Sequence, residues 1–249
     1  MMKAILDVKI PLLRLNDRDI LKNISFSLPK ETILSVVGPN GAGKTTLLKA
    51  LFSPRDFRNL KFTLHDNDIS KLSGKSFANK ISYLGASDFS QPLITIEEFF
   101  INSCYSTEVD NEEIHRGLKA WELESLKGQR VSNFSLGEFQ RLLLATTFYQ
   151  KAELYILDEP ERHLDPAGIK ILQNVMSNLR ERGKNVIFTS HDINLSISTA
   201  DIILGINKDG EQDFLCDREL LESSKYLNKL FNVNFQYLKI PDGTVKVFI

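Results

Sequence analysis

The sequence predicts an α/β fold in which helices cover a mainly parallel sheet, with antiparallel strands before it and an α-helical insertion within it. Two N-terminal segments, 5–15 and 20–28, alternate apolar and polar residues around a turn-like stretch, 16–19, and predict a β hairpin. Downstream, short apolar runs alternate with segments of helical periodicity, which is typical of βα units. Between about 95 and 132 the pattern is helical only, and we interpret that stretch as the insertion.

The elements follow in order along the chain. The run 33–37 predicts a buried strand, a glycine-rich turn follows it, and 45–52 has the spacing of a helix. Within the insertion, Asp110 is placed as an N-cap and Glu113 as its capping partner for a helix that reaches Leu118. Beyond these we expect a strand and turn at 62–69, strands at 154–157, 185–189 and 202–206, helices at 166–182 and 220–230, and a C-terminal hairpin turned by Pro241, Asp242 and Gly243.

Changes of periodicity also suggest how the chain is organised, because it contains no low-complexity tract or internal repeat. We interpret residues 1–249 as one domain with four parts. These parts are an antiparallel β part that includes the glycine-rich turn at 1–85, a helical subdomain at 86–145, the second half of the core sheet at 146–210 and a C-terminal appendage at 211–249.

Composition narrows the class of protein. The 249 residues carry 31 Lys and Arg against 32 Asp and Glu, so no overall positive charge favours nucleic acid or anionic lipid. With 42% hydrophobic and 25% charged residues, disordered, fibrous and disulfide-scaffold classes are excluded. Cys104 and Cys216 stand far apart, which predicts reduced thiols in a cytosolic protein. No apolar run approaches the roughly 20 residues that cross a bilayer, so any membrane association is expected to be peripheral.

The glycine-rich turn has the spacing of a phosphate-binding loop, with two glycines separated by four residues and followed by Lys and Thr. Its glycines let backbone N–H groups converge on phosphate oxygens, and the helix start adds its positive dipole end. Lys44 is expected to supply charge and the Thr45 hydroxyl to bind Mg²⁺. A tight turn without a ligand would not need glycines, Lys and Thr at this spacing, so that alternative is disfavoured. The predicted nucleotide-binding residues here are Gly38, Pro39, Asn40, Gly41, Ala42, Gly43, Lys44, Thr45 and Thr46.

Two carboxylates, Asp158 and Glu159, follow the apolar run 154–157, at the end of a strand where α/β sheets bind ligands. We expect Asp158 to hold Mg²⁺ and Glu159 to be the general base that orients or deprotonates the attacking water. Alone, the pair also fits a solvated acidic turn, and the phosphate loop upstream favours the catalytic interpretation. A GTPase is disfavoured because residues 207–209 place their acid one position too early for a guanine-binding motif.

Around Ser135 the chain resembles ATP-binding-cassette (ABC) ATPases, whose signature is Leu-Ser-Gly-Gly-Glu or Gln. Ser135, Gly137 and Glu138 match that signature, while Phe134 and Leu136 depart from it. A serine hydroxyl and free amides at a helix start form a second anion-binding surface. The alternative, an N-cap ahead of an amphipathic helix, accounts for the serine but not for the glycine.

The resemblance continues through about residues 5–210. Asp165 matches the family's D-loop, and His191 matches its switch histidine, which reports the γ-phosphate. The resemblance implies a P-loop NTPase fold, ATP with Mg²⁺, and a homodimer whose two composite sites close on two ATP molecules. By this resemblance Glu159, His191 and Lys44 are catalytic, and Thr45 and Asp158 hold the metal. Ser135 and Gly137 contact nucleotide across the dimer, and Asp165 is a further nucleotide-binding residue.

Two departures from the family pattern affect the predicted chemistry. Where the family has a glutamine that contacts Mg²⁺ and the attacking water and couples to the membrane partner, this chain has Ala86. Gln91 or Asp88 could replace that glutamine, but we favour a surface position, so hydrolysis is expected to be slow or its coupling altered. The family's adenine-stacking aromatic is also missing, with Leu15 near its place, which predicts weaker affinity and looser base choice.

The tail segments 219–221 and 227–233 are similar to those of ATPases from importers of iron chelates, haem and cobalamin. This similarity implies a peripheral subunit on the cytoplasmic face of the inner membrane. Its partners would be permease subunits and a separate solute-binding protein, without nucleic acid. Two alternatives stay open, an exporter ATPase and a nucleotide-gated binding module with impaired hydrolysis. An ABC protein acting on nucleic acid is disfavoured because the chain has one cassette and no basic patch.

Overall fold

The structure is a computed structural model that describes residues 4–54, 57, 60–72, 74–85, 91–104, 110–223, 225–239 and 245–248. None of the helices in these ranges has the length and apolar character needed to cross a bilayer. The strands are β1 (Ala4–Leu15), β2 (Arg18–Pro29), β3 (Ile33–Val37), β4 (Lys61–Leu64), β5 (Asn67–Asp68), β6 (Ile81–Leu84), β7 (Leu154–Asp158), β8 (Asn185–Thr189), β9 (Ile202–Ile206), β10 (Gln212–Asp217), β11 (Gln236–Lys239) and β12 (Val245–Phe248). The helices are α1 (Lys44–Phe52), α2 (Gly74–Ala78), α3 (Ile96–Ser103), α4 (Asn111–Ala120), α5 (Leu136–Tyr149), α6 (Pro166–Glu181), α7 (Ile193–Thr199), α8 (Arg218–Ser223) and α9 (Tyr226–Phe231).

The N-terminal strands form an antiparallel sheet in the order β2-β1-β4-β5. β1 and β2 make the predicted hairpin, but only Asn16 and Asp17 lie between them, so the turn is shorter than the stretch 16–19. Both residues have positive φ, 47° and 61°, which Asn and Asp tolerate and which suits a two-residue hairpin. Buried side chains of β2, including Phe26, share one apolar cluster with Leu47 of α1. The hairpin is thereby packed against the helix that follows the phosphate loop.

The central sheet has six strands in the order β10-β9-β3-β8-β7-β6, parallel except for β10 at one edge. β3, β7 and β8 are buried along their whole length, as expected for parallel strands covered on both faces. Because β8 lies between β3 and β7, the loops after these three strands leave one edge of the sheet side by side. The phosphate loop, the two carboxylates and the switch histidine therefore meet there.

The helical insertion contains α3 and α4, which pack on α5. Asp110 caps α4 as predicted, accepting a hydrogen bond from the Glu113 N–H at 2.7 Å. The Glu113 side chain has a different partner from the one expected, because its carboxylate accepts from the Tyr149 hydroxyl of α5. A tertiary contact has thus taken the place of the second half of the capping box.

The tail departs from the prediction at its helix. The single helix expected at 220–230 is two helices, α8 and α9. α8 ends at Ser223 and α9 begins at Tyr226. β11 and β12 pair antiparallel and confirm the hairpin, while its predicted turn, 241–243, lies outside the described residues. The Asn194 side chain of α7 donates to and accepts from the Val247 backbone at 3.0 and 2.7 Å, which attaches the hairpin to the core.

Candidate functional site

The phosphate loop is shaped by its glycines and ends in a helix without a side-chain cap. Gly41 and Gly43 have φ of 80° and 91°, a region that favours glycine. A Cβ atom on Gly38 would lie 2.2 Å from the Ile206 carbonyl oxygen, so the loop backbone touches β9. Gly43 is the N-cap of α1, and no described side chain accepts from the first turn of that helix. N–H groups at such a helix start can bind an anion.

Lys44 lies against its own loop. Its side chain is buried, and Nζ donates to the carbonyl oxygens of Gly38 at 2.7 Å and Pro39 at 3.1 Å. Burial lowers the pKa of Lys44, while the nearby carboxylates of Glu159 and Asp158 oppose that shift. The ammonium group therefore stands between the phosphate loop and the carboxylates that follow β7.

Asp158 is buried where two hydroxyl groups converge. Its Oδ1 accepts from the Thr45 hydroxyl at 3.2 Å and the Thr189 hydroxyl at 2.6 Å. Its Oδ2 is buried and has no hydrogen-bond partner among the described residues. A threonine hydroxyl beside a carboxylate oxygen that lacks a partner is a hard oxygen donor set of the kind Mg²⁺ prefers. The residues present therefore fit the metal that the sequence predicts.

Glu159 and His191 lie close together beside the phosphate loop. Glu159 has a positive φ of 50°, and its N–H donates to the Thr189 hydroxyl at 3.0 Å. Its Oε1 lies 2.7 Å from Nε2 of His191, which follows β8. This arrangement places a carboxylate and an imidazole together beside the phosphate loop, as proton transfer to or from a bound phosphate would require.

The phosphate loop, Glu159 and His191 border one open cavity of about 280 Å³. That volume is slightly below the roughly 300 to 1,000 Å³ of pockets that enclose a whole small ligand. Such a size and openness suit half of a site, one that holds the phosphate end of a nucleotide. Its lining comprises Ile20, Asn40, Gly41, Ala42, Gly43, Lys44, Thr45, Thr46, Glu159 and His191.

Comparison with known proteins decides the family. The sequence profile of the ABC transporter family matches residues 21–162, more than half of the chain. A probable metal transport system ATP-binding protein of Thermotoga maritima is 33% identical over 210 residues, which cover 82% of either chain. The chain belongs to the ABC transporter ATP-binding family. Zinc import ATP-binding protein ZnuC of Buchnera aphidicola is also similar to this ABC ATPase, with 32% identity over 197 residues, 77% of this chain and 76% of that protein.

Solved structures share the fold of the ABC ATPase. An ATP-binding cassette of an ABC transporter in its ADP conformation superposes with a TM-score of 0.77 at 14% identity, covering 94% of this chain and 100% of that one. A dimeric cassette in a post-hydrolysis state with ADP and Pi gives 0.74 at 20% identity, covering 86% and 98%. The predicted P-loop fold, with its antiparallel N-terminal strands and helical part, is confirmed.

The signature segment of the ABC ATPase begins α5. Ser135 is the N-cap, and its hydroxyl accepts from the Glu138 N–H at 3.3 Å. The Glu138 carboxylate in turn accepts from the Ser135 N–H at 2.8 Å and hydroxyl at 2.7 Å, which completes a capping box. A Cβ on Gly137 would lie 3.0 Å from the His163 carbonyl oxygen. Close packing of α5 on the segment after β7 is a reason for that glycine that the motif alone does not reveal.

The D-loop aspartate is held by α5 as well. Asp165 is the N-cap of α6, and its Oδ1 accepts from the Gly168 N–H at 2.7 Å and from Arg141 at 2.8 Å. The Gly168 N–H and then Arg141 lower the pKa of Asp165. Arg141 also reaches Glu122 of the helical part at 3.3 Å. Ser135, Gly137 and Asp165 are not among the residues that line the 280 Å³ cavity within this chain.

The positions that replace the family's glutamine and aromatic ring are only partly described. Ala86 and Asp88 lie outside the described residues. Gln91 is half-buried, its side-chain amide donates to the Phe134 carbonyl at 2.9 Å, and it does not line the cavity. Leu15 is 40% exposed and does not line the cavity. Ile20, from the same hairpin, lines it instead.

Sequence reasoning missed three residues that shape this site. Thr189 lies two residues before the switch histidine, and its position at the end of the buried strand β8 is the signal that could have identified it. Ile20 carries no motif. Glu161 lies between the second carboxylate and the D-loop, and its contacts with the loop after β8 appear only in the folded chain.

Proposed function

We propose that this ABC ATPase powers a membrane importer whose cargo is a metal ion or a metal complex such as an iron chelate, haem or cobalamin. In this proposal the chain lies on the cytoplasmic face of the inner membrane, bound to permease subunits that receive cargo from a separate solute-binding protein. The four parts at 1–85, 86–145, 146–210 and 211–249 act as one domain.

The observation that supports ATP hydrolysis most directly is the cluster at the ends of β3, β7 and β8. Lys44 and the loop amides stand on one side of the cavity, and Glu159 stands on the other, 2.7 Å from His191. Such a cluster combines phosphate binding, a proton acceptor and a group that can hydrogen-bond a terminal phosphate.

We assign the roles of these side chains as follows. Lys44 and the amides of 38–46 bind the phosphates, and Thr45 with Asp158 holds Mg²⁺. When bound, Mg²⁺ would offset phosphate charge. Glu159 accepts a proton from the attacking water, and His191 donates a hydrogen bond to the terminal phosphate. The products are ADP and inorganic phosphate.

The remaining motif residues are proposed to act across a homodimer. Ser135 and Gly137 do not line the cavity of their own chain but lie at the start of α5, where a second copy could reach them. Asp165 lies on the same side through its bond to Arg141. ATP would close the dimer, and its hydrolysis would remove the phosphate that holds the two copies together.

The cargo class is supported by the relatives. The protein from Thermotoga maritima is named a probable metal transport ATP-binding protein, and the one from Buchnera aphidicola a zinc import ATP-binding protein. The test is transport by the chain reconstituted in vesicles with the permease that co-purifies with it, using radioactive zinc, a ferric chelate and cobalamin in turn. ATP-driven movement toward the ATPase side is expected for at least one. Movement in the opposite direction would identify an exporter, and no movement of any of them would refute the metal cargo.

Hydrolysis itself is tested with the purified chain, Mg²⁺ and the variant Glu159→Gln. We expect turnover in the parent and a loss of at least about a hundredfold in the variant. Light scattering should then show an ATP-bound dimer of the variant. Glu153→Gln is the matched control, because Glu153 precedes the opposite end of β7 and pairs with Lys80 at 2.5 Å. A parent that dimerises on ATP without turnover would instead support the nucleotide-gated module.

A further inference from the structure

Glu161 is a largely buried carboxylate that none of the motifs uses. It lies between Glu159 and Asp165, in a segment where the Arg162 N–H donates to the Glu159 carbonyl and the Leu164 N–H to the Glu161 carbonyl. Burial raises the pKa of Glu161, and its Oε2 is buried without a hydrogen-bond partner among the described residues. Burying a carboxylate is costly unless hydrogen bonds offset the cost, so the contacts that Glu161 makes are informative.

The contacts of Glu161 connect two loops. Its Oε1 accepts from the Ser190 hydroxyl at 2.6 Å and from the His191 N–H at 3.2 Å. Ser190 is 2% exposed, and its hydroxyl also accepts from the Asp192 N–H at 2.9 Å, just before α7. The carboxylate after β7 therefore holds the backbone of the loop after β8.

His191 is consequently held at both ends by the same short segment. Its main-chain N–H bonds to Glu161, while its Nε2 lies 2.7 Å from Oε1 of Glu159. A third contact joins the Glu159 N–H to the Thr189 hydroxyl. Two carboxylates, separated by one residue, thus fix the backbone and the ring of the histidine.

We propose that Glu161 is a positioning residue that sets the imidazole of His191 relative to Glu159 at the phosphate cavity. The effect of this position on catalysis rests on the function proposed above. Glu161 does not itself line the cavity, and its hydrogen bond to a lining residue comes from the His191 N–H, so it acts through the histidine.

The direct test is the position of the His191 ring, read without hydrolysis. The chain has four histidines, so histidine-selective NMR spectra are simple, and His191→Ala identifies the signal. We expect Glu161→Ala to shift or broaden that signal, whereas Glu161→Gln, which keeps an acceptor oxygen, leaves it in place. Glu161→Asp keeps the charge but shortens the reach, so it should move the signal and serves if the alanine variant does not fold. An unchanged signal in whichever of these two variants folds would overturn the proposal.

The kinetic test separates positioning from a general structural role. Glu161→Ala is expected to lower kcat between about tenfold and a hundredfold, as misplaced catalytic groups do, with KM within about twofold. In a His191→Ala background, measured in single turnovers, the same change should add no further loss. Additive losses would overturn the proposal. Glu153→Ala, which removes a carboxylate remote from the histidine, should leave kcat near that of the parent.

The two proposals can fail separately. A parent chain without ATP turnover would refute the proposed function, while the NMR comparison would still decide whether Glu161 positions His191.

Discussion

The phosphate loop and the loops opposite it border the same cavity but are held in different ways. The phosphate loop is one continuous stretch whose shape depends on backbone contacts, including the approach of Gly38 to Ile206. On the opposite side, the hydroxyl of Thr189 joins two loops. It accepts from the Glu159 N–H, 30 positions earlier, and donates to Asp158, 31 positions earlier. The comparison indicates that the phosphate loop is intolerant of added volume at Gly38, whereas the opposite side depends on individual side-chain hydrogen bonds.

The largest effect is expected from Gly38→Ala, which tests the intolerance of the phosphate loop. The new Cβ would stand 2.2 Å from the backbone oxygen of Ile206, which cannot move without displacing β9. We expect a cost of about 3 kcal/mol, seen as at least about a hundredfold weaker ATP binding in a fluorescent nucleotide titration.

The matched control for this prediction is Gly41→Ala. Its Cβ would meet nothing within 4 Å among the described residues, and only its φ of 80° opposes a side chain. A cost of about 1 kcal/mol is expected there. Equal effects of the two substitutions would contradict the distinction between collision and backbone strain.

A smaller effect is expected from Thr189→Val, which removes the hydroxyl that joins the two loops. Asp158 loses a donor at 2.6 Å, and the Glu159 N–H loses its acceptor. Unsatisfied buried groups of this kind cost about 1 to 3 kcal/mol. Steady-state assays should show a kcat about tenfold lower at saturating Mg²⁺ with ATP binding retained. Thr146→Val, at a buried threonine that bonds only within α5, should leave kcat unchanged.

Asn194→Ala tests whether the attachment of the C-terminal hairpin affects catalysis or only stability. The change removes two hydrogen bonds to Val247, and we expect the free energy of unfolding to fall by about 1 to 2 kcal/mol. Chemical denaturation measures this loss. Turnover within about twofold of the parent is expected, and a larger fall would mean that the hairpin also helps to position His191.

The smallest effect concerns the base of the nucleotide. No aromatic residue of the first hairpin lines the described cavity, where Ile20 offers apolar contact only. Stacking on a ring is worth about 1 to 3 kcal/mol per base, and its absence should leave the affinities for ATP and GTP within about tenfold of each other. Competition titrations with both nucleotides check this, and strict selection of ATP would contradict it.

Most of the secondary structure could be predicted from local pattern. β8 and β9 have the predicted bounds, and α6 begins at Pro166 after the N-cap Asp165. The exceptions have physical causes that periodicity does not carry. The two-residue turn at Asn16 and Asp17 depends on their tolerance of positive φ. The loss of a reciprocal capping bond at Glu113 depends on a tyrosine from another helix.

The motifs alone were sufficient to predict the family, the phosphate loop and the residues around the cavity other than Ile20. Their chemistry depends on residues that are adjacent in sequence, such as Lys44 and Thr45, or that occupy the ends of recognisable strands. Sequence could not predict that Glu161 holds the backbone of His191, that Gly137 packs against His163, or that Gln91 bonds to Phe134. Each of these contacts joins segments far apart in the chain. Such contacts follow from how the strands and helices pack, and no local periodicity encodes that packing.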